Sequence, residues 1–197
     1  MKFILSHPLA YRLFNSLISG NAPSIFVNNY LKPCIKDNIL DIGSGTADII
    51  SYLPQVNYVG IDLSPQYIDY AKKRYGSKAT FICGDIVDIN SGDFSSFDIV
   101  LAQGVLHHLD DNKALSLLKL AKSAIKANGR FLSVDGCFIE GQSRITRFIL
   151  SNDRGNYVRT KEQYIQLASQ VFTKVNVHIR SDLLRIPYTH IIMECTP

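Results

Sequence analysis

The amino-acid sequence predicts an α/β fold: a three-layer sandwich around a seven-stranded, mostly parallel sheet whose last strand is antiparallel. Two observations lead to this prediction. Short β-type runs alternate with segments of helical period, which is typical of βαβ units and a parallel sheet. The last two runs follow each other too closely for a crossover helix, which favours an antiparallel pair. In chain order the runs are NILDIG, YVGID, TFICGDI, FDIVLAQ, RFLSVDG, TKVNVHIR and THIIMEC.

The first helix with clear ends follows the run YVGID. Ser64 is suited to cap its start, Pro65 fits its first turn and Gly76 is suited to close it. The apolar face of this helix is predicted to consist of Tyr67, Ile68, Ala71 and Tyr75.

Two more helices are predicted further along the chain. One begins at Asp110 or Asp111 and keeps its apolar spacing to Asn128, where Gly129 provides a stop signal. The other opens at TKEQ, residues 160–163, which matches a capping box, and runs to about Phe172.

Two segments lie outside the alternation of strands and helices. Residues 1–35 have the pattern of one or two amphipathic helices broken near Pro23 and Pro33, and we expect them to form an N-terminal helical cover. Residues 138–159 form an insertion between the fifth strand and the last helix. Because open α/β sheets bind ligands at the carboxyl ends of their strands, both segments are candidates for covering a site at that edge.

Length and composition indicate one globular domain over residues 1–197. The chain is 46% hydrophobic and 19% charged, which is ordinary for a soluble protein. Its net charge is only +4, and because the basic residues are scattered, nucleic-acid binding is not indicated. The four cysteines show no CxxC pattern and no histidine at metal-ligand spacing, so we expect neither a metal site nor a disulfide framework.

The N-terminal stretch does not have the pattern of a targeting segment. His7, Pro8 and Arg12 interrupt it before the apolar core of a signal peptide could form. No stretch approaches the roughly 20 apolar residues of a membrane span. We therefore expect a cytoplasmic protein without a membrane span, either a monomer or a homodimer.

The glycine turn ILDIGSGTAD, residues 39–48, carries the main functional signal. A dinucleotide fingerprint needs a third glycine where this chain has Asp48, and a Walker loop needs a lysine that does not follow these glycines. Gly43 and Gly45 let the backbone approach a ligand, while Asp41 complements a positive charge, directly or through water. The turn therefore favours a cationic ligand over a dinucleotide.

This turn resembles the first motif of class I S-adenosylmethionine-dependent methyltransferases, in which an acid, one further residue and Gly-x-Gly-x-Gly follow an apolar run. The residues that match are Asp41, Gly43 and Gly45, with Ser44 between the glycines, and Ala47 replaces the third glycine. The resemblance implies a Rossmann-like fold and S-adenosyl-L-methionine as the cofactor, with S-adenosyl-L-homocysteine as its product.

The resemblance extends to the ends of the next three strands. It implies that Asp62 accepts hydrogen bonds from the ribose hydroxyls, that Asp85 meets the adenine amino group and that Ile86 packs on the adenine ring. It also implies that Gln103 and Gly104 line the methionine end of the cofactor. The alternative for both acids is a capping role at a helix or turn. The predicted cofactor-binding residues are Asp41, Gly43, Ser44, Gly45, Asp62, Leu63, Gly84, Asp85, Ile86, Gln103 and Gly104.

His107 and His108 are the candidate catalytic bases. They follow the fourth strand, close to where the resemblance places the transferable methyl group, and histidine has a suitable pKa range. The alternative is that one packs under the cofactor while the other faces solvent or caps the helix near Asp110. His107 is the preferred base of the two.

The insertion FIEGQSRITRFILSNDRGNYVRTKEQY contributes the candidate substrate contacts. Arginine matches carboxylate or phosphate geometry, so one hypothesis is that Arg144 and Arg147 form a lid over an anionic acceptor. The alternative is a solvated helix with Ile145, Phe148 and Ile149 turned to the core. The predicted substrate-contacting residues are Arg144, Arg147 and Tyr188.

The sequence thus predicts a methyltransferase for a small molecule, with O-methylation of a bacterial metabolite or saccharide as the leading hypothesis. A non-catalytic S-adenosylmethionine-binding sensor or scaffold is one alternative. A methyltransferase acting on RNA or protein is another, although an Asn-Pro-Pro-Tyr type sequence, typical of some amino methyltransferases, is replaced here by AQGV.

Overall fold

The computed structural model describes residues 17–85, 96–153 and 155–197. Ile86 and Arg154 therefore lie outside the described residues, as does the first part of the predicted N-terminal cover. The strands are β1 (Asn38–Ile42), β2 (Asn57–Asp62), β3 (Ala79–Cys83), β4 (Phe97–Gln103), β5 (Ile125–Phe138), β6 (Arg159–Thr160), β7 (Lys174–Arg180) and β8 (His190–Thr196).

The predicted mostly parallel sheet is confirmed. Its strand order is β3-β2-β1-β4-β5-β8-β7, and the two-residue strand β6 pairs with β5 away from this path. The pairs within β3-β2-β1-β4-β5 are parallel, whereas β8 is antiparallel to both β5 and β7. Because β8 runs backwards, its first residue, His190, pairs with Gly136 near the carboxyl end of β5.

The helices are α1 (Ala22–Phe26), α2 (Pro65–Tyr75), α3 (Asp111–Ala124), α4 (Arg144–Ser151) and α5 (Lys161–Ala168), and short 3₁₀ helices cover Asp48–Tyr52 and Leu106–His108. α1 continues as a π-helical turn over Val27–Leu31. Pro23 lies in the first turn of α1 and the chain turns just before it, so the break expected near Pro23 is present. No helix among the described residues is long and apolar enough to cross a membrane.

The predicted ends of α2 are correct, since Ser64 caps its start and Gly76 follows its last residue. The capping box at Thr160 is also confirmed, but α5 ends at Ala168, earlier than the predicted Phe172. Thr160 and Gln163 close the box with reciprocal hydrogen bonds.

The predicted end of α3 is wrong: the helix stops at Ala124, not at Asn128. β5 starts immediately, with Ile125 beside Phe97, and the register then shifts so that Arg130 pairs with Ile99. A Cβ on Gly129 would lie 2.8 Å from the carbonyl oxygen of Phe97. Gly129 is therefore a glycine of close backbone approach in an irregular strand, and not a helix stop.

The two faces of the sheet are covered by separate helices, which gives the predicted three layers. On one face, Leu40 and Val100 pack with Leu118 of α3 and Tyr164 of α5. On the other, Ile39, Ile99 and Leu101 pack with the N-terminal helical segment and α2, whose contributions include Phe26, Leu31, Ile68 and Tyr75. Burial of these apolar side chains on both faces stabilises the sheet. The carboxyl ends of its parallel strands therefore lie along one edge.

Candidate active site

The glycine turn after β1 is held in a left-handed backbone conformation. Gly43 has φ +71° and Gly45 has φ +54°, while Ala47, at the position of the missing third glycine, has φ 53°. A Cβ on Gly43 would lie 2.6 Å from Val105 Cγ2, whereas one on Gly45 would meet no atom within 4 Å. Gly43 is therefore required by the protein's own packing, while Gly45 leaves open space for a ligand. Ala47 adopts the left-handed geometry despite its side chain, which costs of order 1 kcal/mol or more.

Asp41 is a buried carboxylate at the floor of this turn. Its Oδ2 accepts a 2.5 Å hydrogen bond from the Tyr58 hydroxyl. The pKa of Asp41 is raised to about 7, chiefly by burial and to a lesser degree by the charge of Asp62, while the hydrogen bond from Tyr58 acts in the opposite direction. Its Oδ1 is buried without a hydrogen-bond partner among the described residues, and so is Ser44 Oγ. Such atoms are suited to a ligand's ammonium group, since a buried oxygen without a donor is energetically unfavourable.

Asp62, at the end of β2, stabilises the glycine turn by a hydrogen bond. Its Oδ2 accepts a 2.8 Å hydrogen bond from the amide of Gly45, and its Oδ1 accepts one of 2.8 Å from the amide of Ser64. Each carboxylate oxygen thus binds a backbone amide, one in the glycine turn and one at the start of α2. This is the capping role given above as the alternative to ligand binding. Each carboxylate oxygen has a second lone pair, so contact with ribose hydroxyls remains compatible with this arrangement.

A cavity of about 470 Å³ opens beside the glycine turn. It is lined by five of the predicted cofactor residues, namely Asp41, Gly43, Ser44, Gly45 and Gln103. The other predicted cofactor residues within the described ranges lie at neighbouring strand ends and do not line it; they are Asp62, Leu63, Gly84, Asp85 and Gly104. Leu63 is 69% exposed. The cavity therefore corresponds to the part of the site where the resemblance places the methionine end of the cofactor.

The structure distinguishes between the two candidate bases. His107 is buried, and its Nδ1 lies 2.8 Å from Asp135 Oδ1, which also accepts a 3.1 Å hydrogen bond from the His107 amide. Burial lowers the pKa of His107, but the hydrogen bond and charge of Asp135 outweigh it, so the net direction is upward. His108 is exposed, with its ring centroid 4.2 Å from that of His107. His107 is thus the histidine with an orienting carboxylate.

Asp135 was missed in the sequence, although a signal was present. It stands in RFLSVDG at the end of a predicted strand, as Asp41 and Asp62 do in theirs. Its side chain is fully buried within β5. Because its Oδ1 accepts a hydrogen bond from Nδ1–H of His107, the lone pair of Nε2 is left for other chemistry.

Asp153 of the insertion meets the other side of His107. Its Oδ1 lies 3.8 Å from His107 Nε2, and its Oδ2 accepts a 2.5 Å hydrogen bond from the Tyr188 hydroxyl. Gly155 packs so closely that a Cβ there would lie 1.9 Å from His107 Cδ2. Tyr157 donates its amide hydrogen to the carbonyl oxygen of His107 over 2.9 Å. The insertion therefore folds directly over the candidate base, and Tyr188 contacts the insertion.

The two lid arginines point elsewhere. Arg144 and Arg147 are both exposed, neither lines the cavity, and the Arg147 guanidinium lies 5.3 Å from the centre of the Phe138 ring. The alternative packing of α4 is wrong in part, because Ile145 and Phe148 are 63% and 69% exposed. Thr146 and Leu150 are the side chains of α4 that are buried.

Arg159, a further arginine of the insertion, is a structural residue. Its guanidinium donates to the carbonyl oxygens of Leu106 over 2.9 Å and Leu109 over 2.7 Å, and it pairs with Asp111 at 2.7 Å. Only 7% of its side chain is exposed. Arg159 thus ties the insertion to the loop that carries His107.

Comparison with known proteins shows which proteins the chain resembles. Residues 39–129 match a family model described as a methyltransferase domain. The chain is 30% identical over 146 residues to desmethylxanthohumol 6'-O-methyltransferase of Humulus lupulus, covering 68% of this chain and 39% of that protein. It is 24% identical over 174 residues to aclacinomycin 10-hydroxylase RdmB of Streptomyces purpurascens, covering 81% and 46%.

A solved structure extends the comparison over the whole fold. The TehB-like SAM-dependent methyltransferase from Corynebacterium glutamicum superposes with a TM-score of 0.69 at 20% identity, covering 98% of each chain. The chain spans less than half the length of the two curated relatives named above.

Residues 39–129 therefore match a methyltransferase domain, which agrees with the resemblance to the class I S-adenosylmethionine-dependent enzymes, and the solved structure has the same fold. S-adenosylmethionine is the cofactor of that class. Since one relative is named a hydroxylase, the reaction itself has to be argued from the residues of the site.

Proposed function

We propose that this protein transfers the methyl group of S-adenosylmethionine to a hydroxyl oxygen of a small-molecule acceptor. The observation that supports this best is the buried pair of His107 and Asp135, which lies at the same edge of the sheet as the glycine turn. When bound, S-adenosylmethionine supplies an electrophilic methyl group on a sulfonium. The relatives named as O-methyltransferases favour the same reaction.

The cavity residues would hold the cofactor's methionine end. Asp41 Oδ1 and Ser44 Oγ are buried polar atoms without partners among the described residues, which suits an ammonium group and a neighbouring polar group. Gly45 leaves room for close approach, and Gln103 adds an amide to the lining. The roles of Asp62 at the ribose and Asp85 at the adenine remain part of this proposal.

His107 would act as the general base. Asp135 holds Nδ1, so Nε2 is the nitrogen that can accept the proton from the acceptor's hydroxyl, and the buried carboxylate then stabilises the imidazolium. Such a base contributes about 10²–10⁴-fold to the rate. Holding the acceptor oxygen in line with the methyl carbon supplies up to roughly 7–11 kcal/mol of barrier reduction, independently of the base.

A non-catalytic binding module is a weaker proposal for this chain. A sensor needs the cofactor residues but has no use for a buried histidine oriented by a buried carboxylate. Action on RNA or protein has the mild positive charge as its support. A monomeric or homodimeric state and a cytoplasmic location remain predictions.

The test is transfer of a labelled methyl group from S-adenosylmethionine into a fractionated metabolite extract. His107→Asn should lower the rate about 100-fold or more while its affinity for S-adenosylhomocysteine, measured by calorimetry, stays close to that of the wild type. His178→Asn, which changes an exposed histidine of β7, is the matched control. Full activity in His107→Asn would refute the assigned base. Binding of NAD without binding of either sulfur ligand would refute the proposed function.

A further inference from the structure

Tyr188 joins the segment before β8 to the insertion that covers His107. Its side chain is buried, and its hydroxyl donates a 2.5 Å hydrogen bond to Asp153 Oδ2. This length is typical of a hydroxyl bound to a carboxylate, which is one of the stronger kinds of hydrogen bond. Burial, followed by the hydrogen bond and charge of Asp153, raises the pKa of Tyr188, so the hydroxyl remains a donor at neutral pH. Tyr188, predicted above as a substrate contact, therefore has its hydroxyl bound to a carboxylate of the protein itself.

The position of the Tyr188 hydroxyl is determined by packing on β5. A Cβ on Gly136 would collide with this hydroxyl, and Gly136 directly follows Asp135, the carboxylate that orients His107. The ring of His190 packs beside that of Tyr188, with the two centroids 4.7 Å apart. The hydroxyl is therefore held in place by the same strand that carries the orienting carboxylate.

Asp153 is bound at both of its carboxylate oxygens. Oδ2 accepts the hydrogen bond from Tyr188, and Oδ1 accepts one of 3.3 Å from the amide of Gly155. Oδ1 also faces His107, but it lies 3.8 Å from Nε2, which is too far for an N–H···O hydrogen bond. The charge of Asp153 thus acts on the imidazole without a hydrogen bond to Nε2.

The titratable and charged groups around His107 come from several elements: Asp135 of β5, Asp153 of the insertion, Arg159 of β6, His190 of β8 and the neighbouring His108. Burial lowers the pKa of His107, the two carboxylates raise it, and Arg159 lowers it. His190 is uncharged at neutral pH, because burial lowers its pKa to about 4. Asp153 is the carboxylate on the Nε2 side of the ring, so its distance determines how strongly an imidazolium is stabilised there.

We infer that Tyr188 is a positioning residue, whose hydroxyl holds Asp153 back from His107 Nε2 and keeps that nitrogen open for the acceptor's proton. This inference rests on the proposed function, because it concerns the same base. Without the hydroxyl, Oδ2 loses its donor, and the carboxylate can reach Nε2–H of the imidazolium by moving about 1 Å. The closer carboxylate would favour the imidazolium, so less free base would be present at neutral pH.

The experiment is an NMR titration of the His107 imidazole in protein with isotope-labelled histidine, without ligand. His107→Asn identifies the signal among those of the five histidines. We expect Tyr188→Phe, which keeps the ring and removes the hydroxyl, to raise the pKa of His107 by about half a pH unit or more. In the Asp153→Asn background the same change should leave this pKa unchanged, because no carboxylate remains to move. Tyr75→Phe is the matched control, since it removes another buried tyrosine hydroxyl, 2.8 Å from Ser51 Oγ.

A second readout is the rising limb of kcat/KM, which should move to higher pH in Tyr188→Phe together with the pKa of His107. An unchanged or lowered pKa of His107 in Tyr188→Phe would overturn the inference, because the hydroxyl would then not limit the approach of Asp153. A rise that persists in the Asp153→Asn background would also overturn it, since Asp153 would not carry the effect. The titration needs neither S-adenosylmethionine nor an acceptor, so it gives this result even if calorimetry with S-adenosylhomocysteine refutes the proposed function.

Discussion

Asp153 lies with Oδ1 3.8 Å from His107 Nε2, on the opposite side of the imidazole from Asp135. His107 therefore has a carboxylate near each ring nitrogen, and both carboxylates raise its pKa against the lowering effect of burial. In this arrangement the imidazolium is stabilised. A base has to be unprotonated to accept a proton, so the rate should rise as pH increases through the pKa of His107.

Replacing Asp153 with asparagine should shift this pH dependence. The change removes one of the charges that raise the pKa of His107, so the neutral base forms at lower pH. We expect the rising limb of kcat/KM to move down by about one pH unit, which corresponds to about 1.4 kcal/mol. Asp69→Asn, an exposed acid of α2, is the matched control. An unshifted profile in Asp153→Asn would show that the carboxylate does not act on the base.

Asp41 should make cofactor binding dependent on pH. Its pKa is raised to about 7, and a bound ammonium favours the carboxylate, so binding releases a proton. The affinity for S-adenosylhomocysteine should therefore increase by up to about tenfold between pH 6 and pH 8. In Asp41→Asn the affinity should be weaker and independent of pH. Calorimetry measures both, and adenosine, which lacks the ammonium, serves as the control ligand. Equal pH dependence for adenosine would contradict this assignment.

Gly43 should be sensitive to a single added methyl group. Alanine there must adopt φ +71° and approach Val105 Cγ2 to 2.6 Å. We expect Gly43→Ala to lower the free energy of unfolding by about 2–4 kcal/mol, measured by denaturant unfolding without ligand. Val105→Ala should recover part of that loss in a double mutant. Gly84→Ala is the control, since its Cβ would meet no atom within 4 Å. Similar losses in both single variants would contradict the packing argument.

Arg159 should matter to catalysis more than to cofactor binding. Lysine cannot reproduce the fork of hydrogen bonds to Leu106, Leu109 and Asp111, so Arg159→Lys should lower stability by about 1–3 kcal/mol. Because the loop that carries His107 loses these hydrogen bonds, His107 is positioned less accurately and kcat should fall. The affinity for S-adenosylhomocysteine should stay unchanged. Asp111→Asn is the comparison, and its effect should be smaller because 80% of the Asp111 side chain is exposed. A larger loss of stability in Asp111→Asn than in Arg159→Lys would indicate that the ion pair, and not the hydrogen bonds to the carbonyl oxygens, provides the stabilisation.

The alternation of strands and helices and the ends of α2 could be predicted because they depend on neighbouring residues. Ser64 and Gly76 act through local caps, and the apolar period of the helix is carried by its own sequence. The end of α3 could not be predicted in this way. Gly129 has the local pattern of a helix stop, but its place is determined by the carbonyl oxygens of β4, which are distant in sequence.

The predicted cofactor residues also divide into those identified by a local motif and those whose contacts depend on the tertiary structure. Asp41, Gly43 and Gly45 were predicted from one short motif, and the structure places all three in the lining of one cavity. Asp62 was predicted as a ligand contact, whereas its described hydrogen bonds are to the amides of Gly45 and Ser64. A strand-end acid can serve a ligand or a loop, and the pattern of the sequence is the same for both.

By itself, the sequence determined the alternating α/β architecture and the glycine turn, because both follow from periodicity and from backbone freedom within a few residues. Only the tertiary structure decided which histidine is oriented by a carboxylate and which residues line the cavity. His107 meets Asp135 through the pairing of β4 with β5, and it meets Asp153 because Arg159 ties the insertion to the loop that carries His107. His190 reaches the cavity because β8 runs antiparallel and starts at the edge where the parallel strands end. Contacts of this kind join residues far apart in the chain, and no local pattern records them.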